Sequence, residues 1–234
     1  MSRVELVTSF SAAGAELYGL RCVESASDRW PHPLTVYTDE PTVLEGVETR
    51  VTIDIAGWPE TKASLPWMRP DASKPTNYIW DAKRFAVKAF VWHDAAVRLE
   101  QGILVWLDGD TVTTKEVPDG LIDGLMDGVD VAYLGRGSMH PENGFVAFRI
   151  PEALPLLAFC RLAYASGAFR ELADGWTDCH LLRAGLKVLG VRARDLTSHT
   201  FEGEWRSSVD AMALSPLGSY VTHLKGPKRK REAA

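Results

Sequence analysis

The sequence has few cysteines, no long apolar run and no excess of positive charge, and each shortage argues against a class of protein. Its three cysteines, Cys22, Cys160 and Cys179, form no CxxC pair and no even disulfide framework, as expected of a reduced intracellular protein. No apolar run approaches the roughly 20 residues that a transmembrane helix needs. Segment 1–7 is too short and too polar for a signal peptide. We therefore expect a cytoplasmic protein without a membrane span.

The charge is unevenly distributed along the chain. The net charge of −5 comes from 26 Lys and Arg against 31 Asp and Glu, which argues against nucleic-acid binding by overall charge. Residues 225–234 nevertheless contain five basic residues and one glutamate, a net charge of +4, so the other 224 residues carry −9. An acidic body that ends in a basic segment needs an explanation, and a nucleic-acid-binding patch is one candidate.

Strand and helix patterns alternate along the 234 residues, which show no internal repeat and are 46% hydrophobic and 24% charged, as is typical of one globular domain. Strands are predicted over 4–9, 34–38, 47–55, 102–107, 129–134, 143–150 and 187–192. Helices are predicted over 12–27, 79–100, 118–126, 151–166 and 174–186. The expected fold is a single α/β domain, Rossmann-like, in which helices flank a central, mostly parallel sheet.

The sequence Asp108-Gly109-Asp110 follows the apolar run 102–107 and is the strongest local signal of a functional site. The run has no polar alternation, which indicates a central strand buried on both faces. Two carboxylates one residue apart can both bind one divalent cation, and open α/β sheets bind ligands at the carboxyl edge of such strands. Asp-Gly is also common in hairpin turns, so a plain hairpin is the alternative.

Two further segments carry cations that suit a phosphate. The C-terminal segment 223–229 contains an imidazole, a glycine that permits close backbone approach, and several Lys and Arg side chains. The alternative for this segment is a disordered basic tail or a nucleic-acid patch. Asp81, Arg84 and Lys88 form a stripe on the helix predicted over 79–100. This stripe is either a solvated face with ion pairs or a cationic face directed at a phosphate.

Taken in chain order, these motifs resemble nucleotide-sugar glycosyltransferases of the GT-A fold, in particular the glycogenin-like and the small bacterial or phage enzymes. The similarity rests on Asp108-x-Asp110 after a hydrophobic strand and on a C-terminal His-x-x-Gly with basic residues. Weaker similarities at 7–10, 18–19, 80–88, 143–148 and 175–178 extend it over nearly the whole chain. One departure is Arg229, which stands where the glycogenin-type ending has a lysine, although Lys228 and Lys230 flank it.

The resemblance implies a metal-dependent hexosyltransferase. Such an enzyme moves a sugar from a nucleoside diphosphate-sugar, most often a UDP-sugar, to an acceptor hydroxyl, and the glycogenin-like ending favours retention of configuration. Asp110 and His223 would bind Mn²⁺ or Mg²⁺, which stabilises the leaving diphosphate, and Asp108 would either bind the same ion or hold the ribose. Asp178 is the implied catalytic residue, as a contact to the donor sugar or as a base. The alternative for Asp178 is a first-turn helix acid.

The resemblance also implies two sets of binding residues. The nucleotide-sugar contacts would be Thr8, Ser9, Phe10, Tyr37, Asp39, Arg84, Lys88, Lys225, Gly226, Lys228 and Arg229. The acceptor-binding residues would be Trp58, Trp67, Glu142 and Trp176, the first two in a long irregular loop over 56–76. Residues 1–110 would form the nucleotide-binding half and 111–224 the acceptor half, with 225–234 closing over the diphosphate.

Three other functions remain open at this point. One is a phage-type transferase that glycosylates hydroxymethylated DNA bases. The second is a metal-dependent nucleotidyltransferase that uses the same acidic pair, and it differs in releasing pyrophosphate rather than a nucleoside diphosphate. The third is a nucleic-acid-binding module that uses the basic tail, against which the acidic body argues.

Overall fold

The computed structural model describes residues 2–45, 51–55, 58, 73–74, 78–197 and 209–224. The strands are β1 (Val4–Phe10), β2 (Leu34–Thr38), β3 (Val51–Asp54), β4 (Gly102–Leu107), β5 (Thr111–Thr113), β6 (Val131–Leu134), β7 (Glu142–Ile150), β8 (Ala193–Asp195) and β9 (Val221–His223). The α-helices are α1 (Ala12–Gly14), α2 (Leu20–Arg29), α3 (Ala82–Leu99), α4 (Leu121–Leu125), α5 (Leu154–Ser166) and α6 (Asp178–Leu189). A π-helical turn, Ala15–Gly19, joins α1 to α2. Short 3₁₀ turns lie at Pro41–Leu44, Tyr78–Trp80, Ala168–Glu171 and Pro216–Ser219.

The main sheet has seven strands in the order β3-β2-β1-β4-β7-β6-β8. Neighbouring strands are parallel except that β7 runs antiparallel to both β4 and β6. The fold is therefore α/β, Rossmann-like, with a mostly parallel sheet flanked by helices, as the sequence predicts. The chain moves outward from β1 to β3 and returns to the other side of β1 as β4, so the strand order reverses between β1 and β4. Ligands of open α/β sheets bind at such a reversal.

The central strand β4 is buried on both faces, as its unbroken apolar sequence predicts. On one face, Leu104 and Trp106 pack in a hydrophobic core with residues of α3, α5 and α6. On the other face, Ile103, Val105 and Leu107 pack in a second core with residues of α2, α4 and β9. None of the described helices is both long enough and apolar enough to cross a lipid bilayer.

The predictions fail in two places near the C-terminus. The strand predicted over 187–192 is wrong, because α6 continues to Leu189 and the strand is β8. Val188 is 72% exposed on the last turn of α6, so its apolar character does not mark a buried strand. No strand is predicted after residue 192, but β9 lies there and pairs with β5 in a separate two-stranded sheet. Residues 46–50, which include the start of the third predicted strand, lie outside the described residues.

Candidate functional site

A cavity of about 470 Å³ lies at the carboxyl ends of β1 and β4, where the strand order reverses. Its lining includes Ser9 and Phe10 from β1, Arg84 and Lys88 from α3, and Asp108 and Asp110 from the turn after β4. Asp39, which follows β2, also lines it, and its carboxylate accepts a hydrogen bond from the Ala12 amide at 2.8 Å. The structure thus brings seven of the predicted site residues to one cavity.

The turn Asp108–Asp110 does not form a hairpin with β4. The Asp108 carbonyl accepts hydrogen bonds from the Thr111 amide at 3.0 Å and from the Thr111 hydroxyl at 2.8 Å. These bonds direct the chain into β5, which pairs with β9 instead of returning along β4. The alternative of a plain hairpin is therefore wrong. Because Thr111 is opposite His223 in this pairing, the small sheet places His223 beside the acidic turn.

Asp108, Asp110 and His223 form a group in which one ligand atom from each lies within 4.8 Å of the others. His223 Nε2 is 3.0 Å from Asp110 Oδ1 and 4.0 Å from Asp108 Oδ2. Two ligands of Mg²⁺ that bind at right angles are about 3.0 Å apart, because each lies about 2.1 Å from the ion. Carboxylate oxygens and one imidazole also suit Mn²⁺. The residues present therefore fit a divalent cation at this point.

Glu142 holds the opposite side of the His223 ring. Its Oε1 lies 2.7 Å from His223 Nδ1, so a proton on Nδ1 leaves Nε2 for a cation. Glycine at position 144 leaves room for the His223 ring, because a Cβ there would lie 2.7 Å from His223 Nδ1. Burial by itself lowers the pKa of His223, but the hydrogen bonds to Asp110 and Glu142 and the negative charges of Asp110 and Asp108 raise it to about 10. Cation binding must therefore release a proton from this ring.

A second group, Glu142, Asp210 and His223, also satisfies the distance criterion for a metal site. It shares His223 with the first group and includes Glu142, which pairs with Nδ1 of that ring. A metal-bound histidine commonly has its second ring nitrogen hydrogen-bonded to a carboxylate. The contact of Glu142 therefore suits the orientation of His223, and a cation would fit on the Asp108 side of the ring.

Lys88 bridges two carboxylates beneath the cavity. Its Nζ lies 2.6 Å from Asp108 Oδ1 and 3.0 Å from Asp178 Oδ2. Burial lowers the pKa of Lys88, but the two carboxylates more than offset this and raise it above its ordinary value. Trp106 Nε1 also donates to Asp108 Oδ1 at 2.8 Å. Lys88 and Trp106 therefore hold Oδ1 of Asp108, and Oδ2 faces His223. Lys88 is thus not part of a solvated ion-paired face, whereas Arg84 is exposed.

Asp178 is placed away from the cavity surface. Its side chain is 1% exposed, and its Oδ2 accepts a hydrogen bond from the side-chain amide of Asn143 at 2.8 Å. It is also the first residue of α6, after the N-cap Thr177, where a carboxylate is favourable. The geometry shows Asp178 as a partner of Lys88 and as a first-turn helix acid, the alternative that the sequence offers, whereas its catalytic role stays a prediction.

Several other residues from the predicted sets do not line this cavity within the described part of the chain. Thr8 is fully buried in β1, and Tyr37 is fully buried with its hydroxyl donating to the partly exposed Asp94 at 2.7 Å. Trp58 packs edge-on against Tyr37 with ring centres 5.9 Å apart. Trp176 is 1% exposed and packs between other aromatic rings. These aromatic side chains contribute to the core, as large aromatics commonly do.

Five predicted residues lie outside the described residues, and two contributors, Asn143 and Trp106, are absent from the predicted site residues. The five are Trp67, Lys225, Gly226, Lys228 and Arg229. Asn143 contributes through both its side chain and its backbone. Its side-chain amide donates to Asp178, and its backbone carbonyl accepts a hydrogen bond from Lys88 at 3.3 Å. The pair Glu142-Asn143 at the start of a predicted strand is a signal that would have located it, once β7 was known to begin at the ligand-binding edge.

Comparison with known proteins adds no family to this description. No model of a known protein family matches the chain, and a search of curated proteins found no match.

Proposed function

We propose that this protein is a metal-dependent glycosyltransferase that moves a sugar from a nucleoside diphosphate-sugar, of UDP type, to an acceptor hydroxyl. The observation that carries the proposal is the position of His223 Nε2, 3.0 Å from Asp110 and beside Asp108, at the edge of the cavity where the strand order reverses. Asp110 and His223, which are 113 positions apart in the sequence, thereby lie close enough to share one cation.

Asp108, Asp110 and His223 would hold Mg²⁺ or Mn²⁺. When bound, the ion supplies positive charge that stabilises the diphosphate leaving group. The surrounding charges favour such an ion, because Asp108, Asp110, Glu142 and Asp178 outnumber the neighbouring cations Lys88 and protonated His223 by two.

The cations of α3 have different roles in this proposal. Arg84 is exposed and lines the cavity, so it is available to the diphosphate. Lys88 fixes Asp108 in the orientation that directs Oδ2 toward His223, and Asp178 positions Lys88. Asp178 therefore acts through Lys88, and we do not assign it a contact with the sugar.

The part of the cavity formed by β1 and the turn after β2 would receive the nucleoside. Phe10 offers an aromatic surface for a base, and Ser9 and Asp39 offer polar groups for the base and ribose. Residues 225–234 would close over the diphosphate from the C-terminal side. In the structure β9 ends beside the acidic turn, since the Leu224 amide donates to the Asp110 carbonyl at 2.8 Å.

The proposal is tested with a panel of nucleoside diphosphate-sugars in the presence of Mn²⁺ or Mg²⁺. We expect slow hydrolysis of one donor with release of a nucleoside diphosphate, lost in Asp110→Asn and in His223→Ala. Asp28→Asn, an exposed carboxylate outside the cavity, is the matched control and should retain activity. Release of pyrophosphate from a parallel panel of nucleoside triphosphates with sugar phosphates would identify a nucleotidyltransferase, and absence of both binding and turnover across the donor panel would refute the proposal.

A further inference from the structure

A second cavity, of about 330 Å³, lies between the β6–β7 connection and α6. Its lining carries three cationic side chains, Arg136, Arg183 and Lys187, and one carboxylate, Asp195. The volume is at the lower end of the range for small-ligand sites. The lining charges add to a net +2, which is opposite to the acidic character of the first cavity.

Arg136 is buried, and no carboxylate of the described residues pairs with it. Its residue is 7% exposed, and its Nη2 donates to the Pro141 carbonyl at 3.2 Å and lies 3.3 Å from His140 Nδ1. Its Nε is buried and has no hydrogen-bond partner. Among the salt bridges of the described residues, none involves Arg136. Burying a guanidinium without a negative partner costs free energy of folding, so a bound anion would stabilise Arg136 in this position.

Arg183 and Lys187 add two cations from one side of α6. They are four residues apart, so they lie on the same helix face, where like charges destabilise a helix. Arg183 has only a distant carboxylate, Asp174 Oδ2 at 4.0 Å, which is 75% exposed. In the described part of the chain Lys187 makes no salt bridge. An anion in the cavity would relieve the repulsion between these two side chains.

The carboxylate in the lining is already engaged by the backbone. Asp195 Oδ1 accepts hydrogen bonds from the Gly135 amide at 3.0 Å and from the Thr197 amide at 2.8 Å. A Cβ at residue 135 would lie 1.9 Å from Asp195 Oδ2, so glycine is required for this contact. Asp195 therefore fixes the loop after β6, and this arrangement holds the neighbouring Arg136 in the cavity wall.

We propose that this second cavity binds the phosphate group of a phosphorylated small molecule through Arg136, Arg183 and Lys187. A phosphate carries a charge of about −1.5 to −2 at neutral pH, which matches the net charge of the lining, whereas a carboxylate carries only −1. Arginine forks suit the several acceptor oxygens of a phosphate. The cavity is larger than one phosphate needs, which leaves room for the organic group. This inference does not rest on sugar transfer.

The test is a calorimetric titration of metal-free protein with inorganic phosphate at constant ionic strength. EDTA keeps the acidic site free of cations, so that phosphate does not bind through a metal. We expect saturable binding, weakened at least fivefold by Arg183→Gln and about twofold to fivefold by the more exposed Lys187→Gln. These two positions are used because the buried Arg136 is more sensitive to folding.

The controls separate this cavity from the first one. Arg84→Gln removes a cation from the first cavity, and Lys115→Gln removes an exposed cation that lines neither. Lys115→Gln should leave phosphate binding within twofold of the unmodified protein, whereas Arg84→Gln tests whether phosphate binds in the first cavity instead. No saturable binding, or binding lost with Arg84→Gln and kept with Arg183→Gln, would overturn the inference. Acetate that binds as tightly as phosphate would overturn the assignment to a phosphate.

Discussion

Replacement of Glu142 by glutamine tests whether this residue supports the cation through His223. Glu142 is 5% exposed, and its Oε1 lies 2.7 Å from His223 Nδ1, so the pair is a buried, charge-assisted hydrogen bond. Glutamine keeps the shape and one acceptor oxygen but removes the negative charge. Loss of such an outer partner typically lowers metal affinity about 10- to 100-fold, which is about 1.4 to 2.8 kcal/mol. We expect a rise of this size in the Kd for Mn²⁺.

The assay is a Mn²⁺ titration in which free Mn²⁺ is followed by electron paramagnetic resonance. All variants are measured at one pH, because the proton on His223 competes with the cation. Glu116→Gln is the matched control: it makes the same change on an exposed side chain and should leave the Kd unchanged. Asp110→Asn removes a direct ligand and should weaken binding more than Glu142→Gln. A Kd for Glu142→Gln within twofold of the unmodified protein, with the fold intact by circular dichroism, would refute the reasoning.

Three further predictions follow from the contacts of the site and the core. Lys88→Met leaves the buried Asp178 and the partly exposed Asp108 without their cation, and we expect a loss of about 3 to 5 kcal/mol in the free energy of unfolding, measured with urea and partly restored by adding Asp178→Asn. Gly144→Ala places a Cβ 2.7 Å from the His223 ring, and should weaken Mn²⁺ binding in the same titration while circular dichroism shows helix and sheet retained. Tyr37→Phe removes a hydrogen bond to a carboxylate, and should cost about 1.5 to 3 kcal/mol of unfolding free energy without changing Mn²⁺ affinity.

The sequence predicts the parts of the fold that depend on local pattern. The strand Gly102–Leu107 is found with the predicted bounds, because an unbroken apolar run that ends in Asp-Gly-Asp admits few other interpretations. The same run locates the acidic turn at the sheet edge, where the cavity lies. Local pattern does not specify strand direction, and for this reason the antiparallel course of β7 could not be predicted.

Long-range pairing limits what the sequence reveals about the site. His223 reaches the acidic turn only through the pairing of β5 with β9, two three-residue strands that are too short to give a periodic signal. The aromatic residues show a different limit. Tyr37 and Trp176 are of residue types that often bind ligands, but both are buried in the core. Only the three-dimensional packing distinguishes a core aromatic residue from a ligand-binding one.

The antiparallel strand β7 supports the first cavity, whereas the connection before β7 lines the second one. Because β7 begins at the edge where its neighbours end, Glu142 and Asn143 belong to the hydrogen-bonded sheet and not to a loop. The connection over residues 135–141, which carries Arg136, lies outside the strands. Insertions or substitutions in that connection would reshape the second cavity and leave the support of His223 in place. The fold therefore places the residues that orient His223 in a fixed strand and half of the second cavity's lining in a loop, where sequence changes would alter the second cavity without disturbing the first.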